Sequence, residues 1–479
     1  MAYGTFIDDV LVHNRMGGVE VAKKYRASFH ALLSGNIGAR GLKPENKTDY
    51  GLLDQITSQP IMVAGRVRQA NVVEPADGTV AQGKVYLKQL AGSMGWDLET
   101  LENTSGDTEL HNTVLGGWDR FLNGFAGVLN AIDFGDGTGR LARVSANTDN
   151  TSYYTVTVDN TSKDFGWNKL ALVEDGMLVD ILTVNGITHS AAWTKKVIRG
   201  EVYGVNKSAG TFNVRAISGV TNSALTAVPA NSDVVFLAGA VTLDATPHWN
   251  SWDVPMGLHG LLDDGGSAGH EFHDDAGYHN GSYYGATWQG LDRSAAANSM
   301  FRALVRRPTD WYSASDNSAL CPATLETLFS TFDQLFMSGA TPDPESLLVL
   351  CSPPSGRWLE DRVVARQNGM QAIPANGHVL AGLVMSGFKV NAGSREILVP
   401  VKTDFAIPDG RFLIVDMGRI GIWEKMALQG ISPDGAGSLQ FATPGSRALT
   451  IERWGRTRYN LYSPRVDGCA VVDGIDIAA

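Results

Sequence analysis

The sequence has few of the features that mark several common classes of protein. Its 479 residues include only three cysteines, Cys321, Cys351 and Cys469, and none of them forms a CxxC pair. An odd number of cysteines cannot all pair within one chain, so we predict buried or free thiols, as in a reducing cytoplasm. No run of about 18 apolar residues is present, which excludes a membrane-spanning helix. The first residues show no basic segment followed by an apolar one, so we expect no secretion signal.

Positive charge is also scarce. The chain carries 39 Lys and Arg against 50 Asp and Glu, a net charge of −11. Tight wrapping of nucleic acid without sequence preference needs concentrated Lys and Arg, so this charge balance argues against it. A surface that merely faces nucleic acid is compatible with the same balance. The hydrophobic content of 43% is ordinary for a folded soluble protein.

Signatures of catalysis and of metal binding are missing too. There is no Gly-x-Ser-x-Gly elbow, and the glycines at 135–139 follow a predicted helix instead of opening one, which excludes a phosphate-binding loop. Residues 259–279 are dense in His, Asp and Glu, the residues that bind zinc or harder cations. Their spacing matches no closed zinc site and no EF-hand, and polar surface loops commonly collect such residues. We therefore predict no catalytic residue, no cofactor and no metal site.

The clearest positive feature is a long amphipathic helix within residues 107–144. Apolar residues recur at steps of four and three, which predicts one buried stripe. The stripe consists of Leu110, Val114, Trp118, Phe121, Phe125, Val128 and Ile132. The glycines at 135–139 are expected to end the helix, and a strand follows. We expect Trp118, Phe121 and Phe125 to form the core of this helix.

An arm and an extended hairpin are predicted before that helix. Residues 1–50 carry one short amphipathic helix. Within 59–92, strands Ile61–Arg68 and Lys84–Leu90 flank a turn at Glu74–Gly78. Such a hairpin lacks the apolar surface to be stable alone, so we expect it to lie on a neighbouring subunit. The candidate interface residues are Arg66, Arg68, Glu74, Asp77, Lys84 and Lys88.

The second half of the chain predicts separate β and α regions. Residues 147–243 are almost wholly β in character, which indicates a small antiparallel barrel or sandwich whose predicted strands hold few Lys and Arg. The remainder predicts helices at 294–307, at 323–337 and after Ser352, and strands Leu347–Cys351, Phe388–Asn391, Glu396–Val401, Phe412–Met417 and Leu449–Trp454. Because helices and strands are segregated, an α+β fold is favoured.

This order of segments resembles the major capsid proteins of tailed bacteriophages, which have the Hong Kong 97-like capsid fold. The similar strings include NAIDFGDGTGRLARV at 130–144, DGMLVDIL at 175–182, WQGLDRS at 288–294 and ERWGRTRYNLYSP at 452–464. The resemblance implies six segments. The first three are an N-terminal arm at 1–52, an extended hairpin loop at 53–92, and a segment at 93–146 with the long spine helix and the start of the peripheral domain. The other three are an inserted all-β subdomain at 147–243, an axial α/β domain at 244–400 and a returning β segment at 401–479.

The resemblance also implies a function. The chain would be a structural subunit, not an enzyme, that assembles as pentamers and hexamers into an icosahedral shell around double-stranded DNA in the host cytoplasm. Scaffold, portal and decoration proteins are further partners of such shells, and no membrane is involved. One alternative is an encapsulin-like nanocompartment that packages proteins. Another is a secreted β-rich glycan-binding protein or hydrolase, which the absence of an export signal and of an acid–base pair disfavours.

A group of arginines near the end of the chain leaves two interpretations open. It comprises Arg447, Arg453, Arg456, Arg458 and Arg465. These side chains could face DNA phosphates, or they could form ion pairs between subunits.

Overall fold

The computed structural model describes most of the chain, with gaps. The described residues are 42–44, 50–58, 79–97, 121, 124–135, 137–158, 172–183, 194–217, 223–231, 233–240, 254–262, 287–288, 291–293, 296–313, 320–337, 346–367, 387–392, 395–431, 440–441 and 450–478. The predicted arm helix lies outside them. Within them, no helix is both long enough and apolar enough to cross a bilayer.

The first sheet is an antiparallel hairpin with one added strand. It consists of β1 (Leu42–Pro44), β2 (Tyr50–Ser58) and β3 (Thr79–Tyr86), in the order β1-β2-β3. The next strand, β4 (Lys88–Asp97), leaves this sheet and pairs with the long strand β21 (Thr450–Tyr462). The predicted single strand Lys84–Leu90 is therefore wrong, because the chain changes sheets at Leu87.

The long helix and its glycine exit are confirmed where the structure describes them. Helix α1 covers residue 121 and residues 124–134 of the described chain. The amide of Gly135 donates to the Ile132 carbonyl at 2.9 Å and closes the last turn. Gly139 then adopts φ +74°, a conformation that glycine reaches without strain, and a Cβ there would lie 2.7 Å from the Ala240 side chain.

Seven strands follow α1. They are β5 (Arg140–Asp149), β6 (Tyr153–Val158), β7 (Leu178–Thr183), β8 (Thr194–Asn206), β9 (Thr211–Arg215), β10 (Ala224–Leu225) and β11 (Val234–Leu237). Six of them form a closed antiparallel barrel, and β10 is attached to the barrel strand β8. The order is β10-β8-β7-β11-β5-β6-β9, and an additional β8–β9 ladder closes the ring. Strands β6 and β9 alternate between buried and half-exposed positions, as expected for a barrel wall. The barrel begins at Arg140, seven residues before the predicted boundary at 147.

Closure of the barrel depends on a bend in β8. On one edge, β8 pairs with β10 at Val197 and Ile198 and with β9 from Glu201 onward. Between these ladders Arg199 adopts φ +45°, and a Cβ on Gly200 would lie 2.5 Å from the side chains of Val197 and Val214. Only glycine fits at position 200. The irregular pairing of β8 at this point is a β-bulge, and it bends the strand at a corner of the barrel.

Short elements connect the barrel to the rest of the chain. They are α2 (Leu258–Leu261), β12 (Thr287–Trp288), β13 (Leu291–Asp292), a 3₁₀ helix (Ala296–Phe301), β14 (Leu304–Arg306) and α3 (Pro308–Trp311). The predicted helix 294–307 is wrong beyond Phe301. Residues of β14 pair in parallel with β22 (Ala470–Val472), and Arg307 precedes a proline, which disfavours helical geometry.

A six-stranded mixed sheet carries two helices. Its strands are β14, β22, β18 (Phe412–Asp416), β15 (Leu347–Cys351), β17 (Arg395–Thr403) and β16 (Gly387–Ala392), in that order. Helices α4 (Leu325–Met337) and α5 (Pro353–Gln367) supply side chains to one core with Val349, Ile414 and Val472. Alternate residues such as Leu348, Leu350 and Leu413 belong to the larger core that includes α1 and the barrel. The sheet is thus buried on both faces at its centre.

The last sheet joins the two halves of the sequence. Strand β21 pairs with β4 on one side and with β19 (Gly421–Ile431) and β20 (Gln440–Phe441) on the other. It is longer than the predicted strand Leu449–Trp454, and β19 was not predicted. The described elements together form an α+β fold in which helices and sheets are segregated.

Candidate interface elements

The structure describes the base of the predicted interface hairpin and not its tip. Strands β2 and β3 pair from Tyr50–Tyr86 to Ile56–Val80, with an irregularity before Ser58. Arg66, Arg68, Glu74 and Asp77 belong to residues 59–78, which lie outside the described chain. Their role at an interface stays a prediction from the sequence.

The two lysines assigned to this hairpin belong to different sheets. Lys84 is on β3, opposite Leu52. Lys88 is half-buried on β4, opposite Tyr459 of β21. Opposite residues of an antiparallel pair share a face, so Lys88 lies on the same face as the buried Tyr459 ring. Of the two, only Lys84 lies on the hairpin.

Two of the three residues predicted for the core of the spine helix, Phe121 and Phe125, are described and are half-buried. Phe121 and Phe125 pack together with ring centroids 5.9 Å apart, and both contact the main core. A Cβ added at Gly92 of β4 would lie 3.0 Å from the Phe121 ring, so the absence of a side chain on that strand makes room for the aromatic pair. Trp118 lies outside the described residues.

The end of α1 is fixed to three other elements. The Tyr459 hydroxyl donates to the Asp133 carboxylate at 2.9 Å, and both side chains are fully buried. Burial, followed by the nearby negative charge of Asp133, holds the pKa of Tyr459 well above 10. Asn130 donates to Asp404 at 2.9 Å, just after β17. The helix therefore connects the four-stranded and six-stranded sheets.

The third anchor is His259, the first residue of the stretch 259–279 that is dense in His, Asp and Glu. It lies on α2, is 2% exposed, and its Nδ1–H donates to the Phe134 carbonyl. Burial, reinforced by the charge of Arg411, lowers its pKa to about 3. His259 is therefore a neutral core side chain. Among the described residues no group of three His, Cys, Asp or Glu could hold a metal, and residues 263–279 of the stretch lie outside them.

The sequence predicted few Lys and Arg in the barrel strands. Strand β8 begins at Thr194, however, and therefore includes Lys195 and Lys196. Four ion pairs offset these charges: Lys195–Asp180 at 2.6 Å, Lys196–Asp233 at 2.9 Å, Lys207–Glu174 at 3.0 Å and Arg215–Glu201 at 2.9 Å. Among the described residues of the barrel, these four basic side chains are therefore paired with carboxylates of the same chain.

The late arginine cluster is divided between two places. Arg453, Arg456 and Arg458 lie along β21, and Arg447 is outside the described chain. Arg465 forms an ion pair with Asp467 at 2.6 Å, and this hydrogen bond raises the pKa of Arg465. At Arg465 the ion pair is formed with a carboxylate of the same chain, so neither the contact with DNA phosphates nor the ion pair between subunits is confirmed.

The three cysteines and Ser352 are buried side chains of the described chain. All three cysteines are free and buried, as the sequence predicted, and burial raises the pKa of Cys351 and of Cys469 to about 12. The Ser352 hydroxyl accepts the Ser355 amide at 3.3 Å, as expected of a helix cap, and donates to Asp409 at 2.5 Å. Ser352 is fully buried, so this hydroxyl–carboxylate contact fixes a turn to α5.

One surface feature was not predicted. On β17, Leu398 is 59% exposed, and Pro400 and Lys402 on the same face are also exposed. We call these three residues the β17 ledge. Strand alternation puts Leu398, Pro400 and Lys402 on one face of β17, but the sequence does not reveal that this face stays uncovered.

Comparisons with known proteins give similar solved structures only. No family model matches the chain, and no curated protein matches it. The cyanophage A-1(L) capsid protein is 10% identical, with a TM-score of 0.47 over 94% of this chain and 93% of that one. The capsid of a native GTA particle is 10% identical, with a TM-score of 0.39 over 93% and 90%. The satellite phage P4 procapsid is 9% identical, with a TM-score of 0.36 over 94% and 99%.

Proposed function

We propose that this chain is the major capsid protein of a tailed bacteriophage. In this proposal it is a structural subunit that assembles as pentamers and hexamers into an icosahedral shell around double-stranded DNA. The shell is built in the host cytoplasm and becomes the virion capsid. Scaffold, portal and decoration proteins are its further partners, and it has no catalytic role.

The observation that carries the proposal is the order of elements along the chain. An antiparallel hairpin comes first, then a long helix that packs on a sheet formed by β4 and β21, then a mixed sheet with two helices, and finally strands that return to complete both sheets. This is the order that the sequence resemblance to phage capsid proteins implies. Val85 fixes one end of β3 to the chain's own core, and we propose that the rest of the hairpin lies on a neighbouring subunit.

The proposal also gives each unit a place. The hairpin of β2 and β3 is the extended loop, α1 belongs to the spine helix, and the six-stranded sheet with α4 and α5 is the axial domain. The barrel, from Arg140 to about 240, is the inserted subdomain. We place it on the outer face or between neighbouring capsomers, because four of its described basic side chains are already paired with carboxylates of the same chain and so offer less charge to DNA.

Electron microscopy of the purified chain tests the proposal. We expect closed, regular shells, formed by the chain alone or after co-expression with a scaffold protein. Nucleic acid and protein content of shells from infected cells then separates a DNA capsid from a protein-packaging compartment. A homogeneous monomer under all assembly conditions, or an affinity for glycans in that monomer, would contradict the proposal.

A further inference from the structure

We propose that one face of strand β21, which carries Arg456 and Arg458, binds the phosphates of the enclosed double-stranded DNA. We call these two residues the β21 arginine pair. The inference rests on the proposed function, because it assigns a surface of the subunit to the DNA that the shell would enclose. It starts from the two faces of the four-stranded sheet, which have different surroundings.

Helix α1 covers one face of this sheet. Tyr459 of β21 lies on that face and donates to Asp133 of α1 at 2.9 Å. A Cβ added at Gly92 of β4, opposite Gly455 of β21, would lie 3.0 Å from the Phe121 ring of α1. The odd-numbered residues of this part of β21 therefore face the helix.

The β21 arginine pair lies on the opposite face, because side chains alternate along a strand. Arg456 is opposite Ala91 of β4, and Arg458 is opposite Gln89. Residues directly opposite in an antiparallel ladder share a face, and both Ala91 and Gln89 are exposed. Solvent therefore reaches this face beside the two arginines, which are themselves half-buried.

The sheet places no carboxylate beside the arginine pair in either ladder. The four residues that pair with the two arginines across β4 and β19 are all uncharged: Ala91, Gln89, Gln429 and Met426. Among the described residues Arg456 forms no ion pair, and its buried Nε has no hydrogen-bond acceptor. In the same part of the chain, by contrast, Arg465 pairs with Asp467 at 2.6 Å. A guanidinium without a counter-ion in its own subunit is available to an external anion.

DNA phosphates match this face better than a protein surface does. The arginines are two positions apart, about 6.6 Å along the strand, and duplex DNA carries one charge per about 1.7 Å of its axis. Phosphates are therefore dense enough to meet both guanidinium groups without a particular register, and such contacts read no base sequence. A protein interface would need an apolar core, whereas the exposed neighbours on this face are the amide of Gln89 and the methyl group of Ala91.

The contact is weak in each subunit. Neutralising two phosphates contributes little affinity at physiological salt. This agrees with the 50 acidic against 39 basic side chains of the chain, which disfavour tight wrapping of DNA. Because every subunit of a shell repeats the pair, the enclosed DNA would meet many such contacts at once.

Binding of free subunits to a short DNA duplex of mixed sequence tests the assignment. The double variant Arg456→Gln, Arg458→Gln removes both charges and keeps polar side chains. We expect it to lower the affinity by about tenfold or more at about 50 mM salt, and to make the slope of log affinity against log salt shallower by about 2. The control Lys207→Gln, Arg215→Gln removes two exposed basic charges from the barrel and should change neither value. Equal effects of the two double variants, or no binding by the wild type, would overturn the proposal.

Chemical modification of the wild-type chain gives a second measurement that does not depend on the folding of a variant. Phenylglyoxal reacts with guanidinium groups, and mass spectrometry reads each site. We expect Arg456 to react at least about fivefold more slowly in DNA-filled shells than in empty shells, whereas Arg215, 52% exposed on the barrel, should react equally in both.

Equal reactivity of Arg456 in filled and empty shells would overturn the proposal. If that equal reactivity is also slower than in free subunits, a neighbouring subunit and not DNA covers the face. Either result leaves the capsid proposal intact, since that proposal fails if the wild-type chain forms no shells.

Discussion

At the scale of single residues, the buried histidine at the end of α1 links stability to pH. The folded-state pKa of His259 is about 3, against 6.5 for a free histidine. Between these values the unfolded chain binds a proton that the folded chain does not. The histidine's contribution to stability is therefore complete above pH 6.5 and is lost as the pH falls towards 3.

We expect His259→Gln to flatten this pH dependence. In the wild type, the free energy of unfolding should fall by about 1.4 kcal/mol for each pH unit below 6.5 through this one group. The variant should be less stable at pH 7, because the contact with Phe134 is altered, but it should lose less stability between pH 6.5 and pH 4.5. Urea unfolding at several pH values measures both. Parallel curves for the two proteins would show that His259 does not titrate as the structure indicates.

A second residue-scale prediction concerns the barrel corner. The Asp180 carboxylate is 1% exposed and accepts hydrogen bonds from the Lys195 ammonium at 2.6 Å, the Arg199 amide at 2.8 Å and the Gly239 amide at 3.3 Å. Asp180→Ala leaves a largely buried cation and two amides unsatisfied. We expect it to destabilise the chain by about 2–4 kcal/mol, since Lys195 keeps some contact with water.

Asp180→Asn is the matched control, because it keeps one oxygen acceptor and the side-chain shape. It should cost less than the alanine variant in chemical denaturation. If alanine and asparagine are equally stable, the hydrogen bonds to the carboxylate do not hold the bulge at Arg199.

At the scale of elements, α1 allows opposite effects to be tested on one helix. Phe125 is packed against the core and against Phe121, so Phe125→Ala should cost about 3 kcal/mol. Gly127 is exposed, and a Cβ added there would meet no atom within 4 Å. Gly127→Ala should stabilise the chain by about 0.5–1 kcal/mol, through helix propensity. Thermal unfolding of both variants measures this, and effects of the same sign would mean that the buried face of α1 is misassigned.

The same helix shows why some elements can be predicted from sequence and others cannot. Its apolar period and glycine exit are local signals, and so are the apolar faces of α4 and of β6. The start of β8 at Thr194 depends on pairing with β7, and the strand β14 depends on the distant strand β22, and no local pattern reveals either pairing. The anchors Asp133–Tyr459 and His259–Phe134 join residues more than a hundred positions apart, so composition gave no hint of them.

At the scale of the whole molecule, two parts can be distinguished: the hairpin sheet of β1–β3, and the body, which comprises the other described elements. The connection between these parts determines which residues can become ordered on assembly. Strand β4 is paired with β21 along ten residue pairs, from Lys88–Tyr459 to Asp97–Thr450, so the chain is fixed to the body from Lys88 onward. Strands β1–β3 form a separate three-stranded sheet. Val85 of β3 is nevertheless fully buried in the main core, so this end of the hairpin is fixed to the body. Order in residues 79–83 of β3, towards the loop that joins β2 to β3, can respond to a neighbouring subunit.

Arg66 and Arg68, in the segment that connects β2 to β3, provide the last test. In the proposed shell they meet a neighbour's carboxylates, and such exposed pairs are weakened by salt. Reversing both residues to Glu should weaken association between capsomers, most clearly at low ionic strength, while thermal unfolding of the free subunit stays nearly unchanged. Lys207→Glu, at an exposed site on the barrel, is the control and should assemble normally. Hydrogen exchange should show slow amides in residues 79–83 only in shells, whereas residues 450–459 should be slow in both states. Equal protection of 79–83 in free subunits would mean that this part of the hairpin is stabilised by its own subunit.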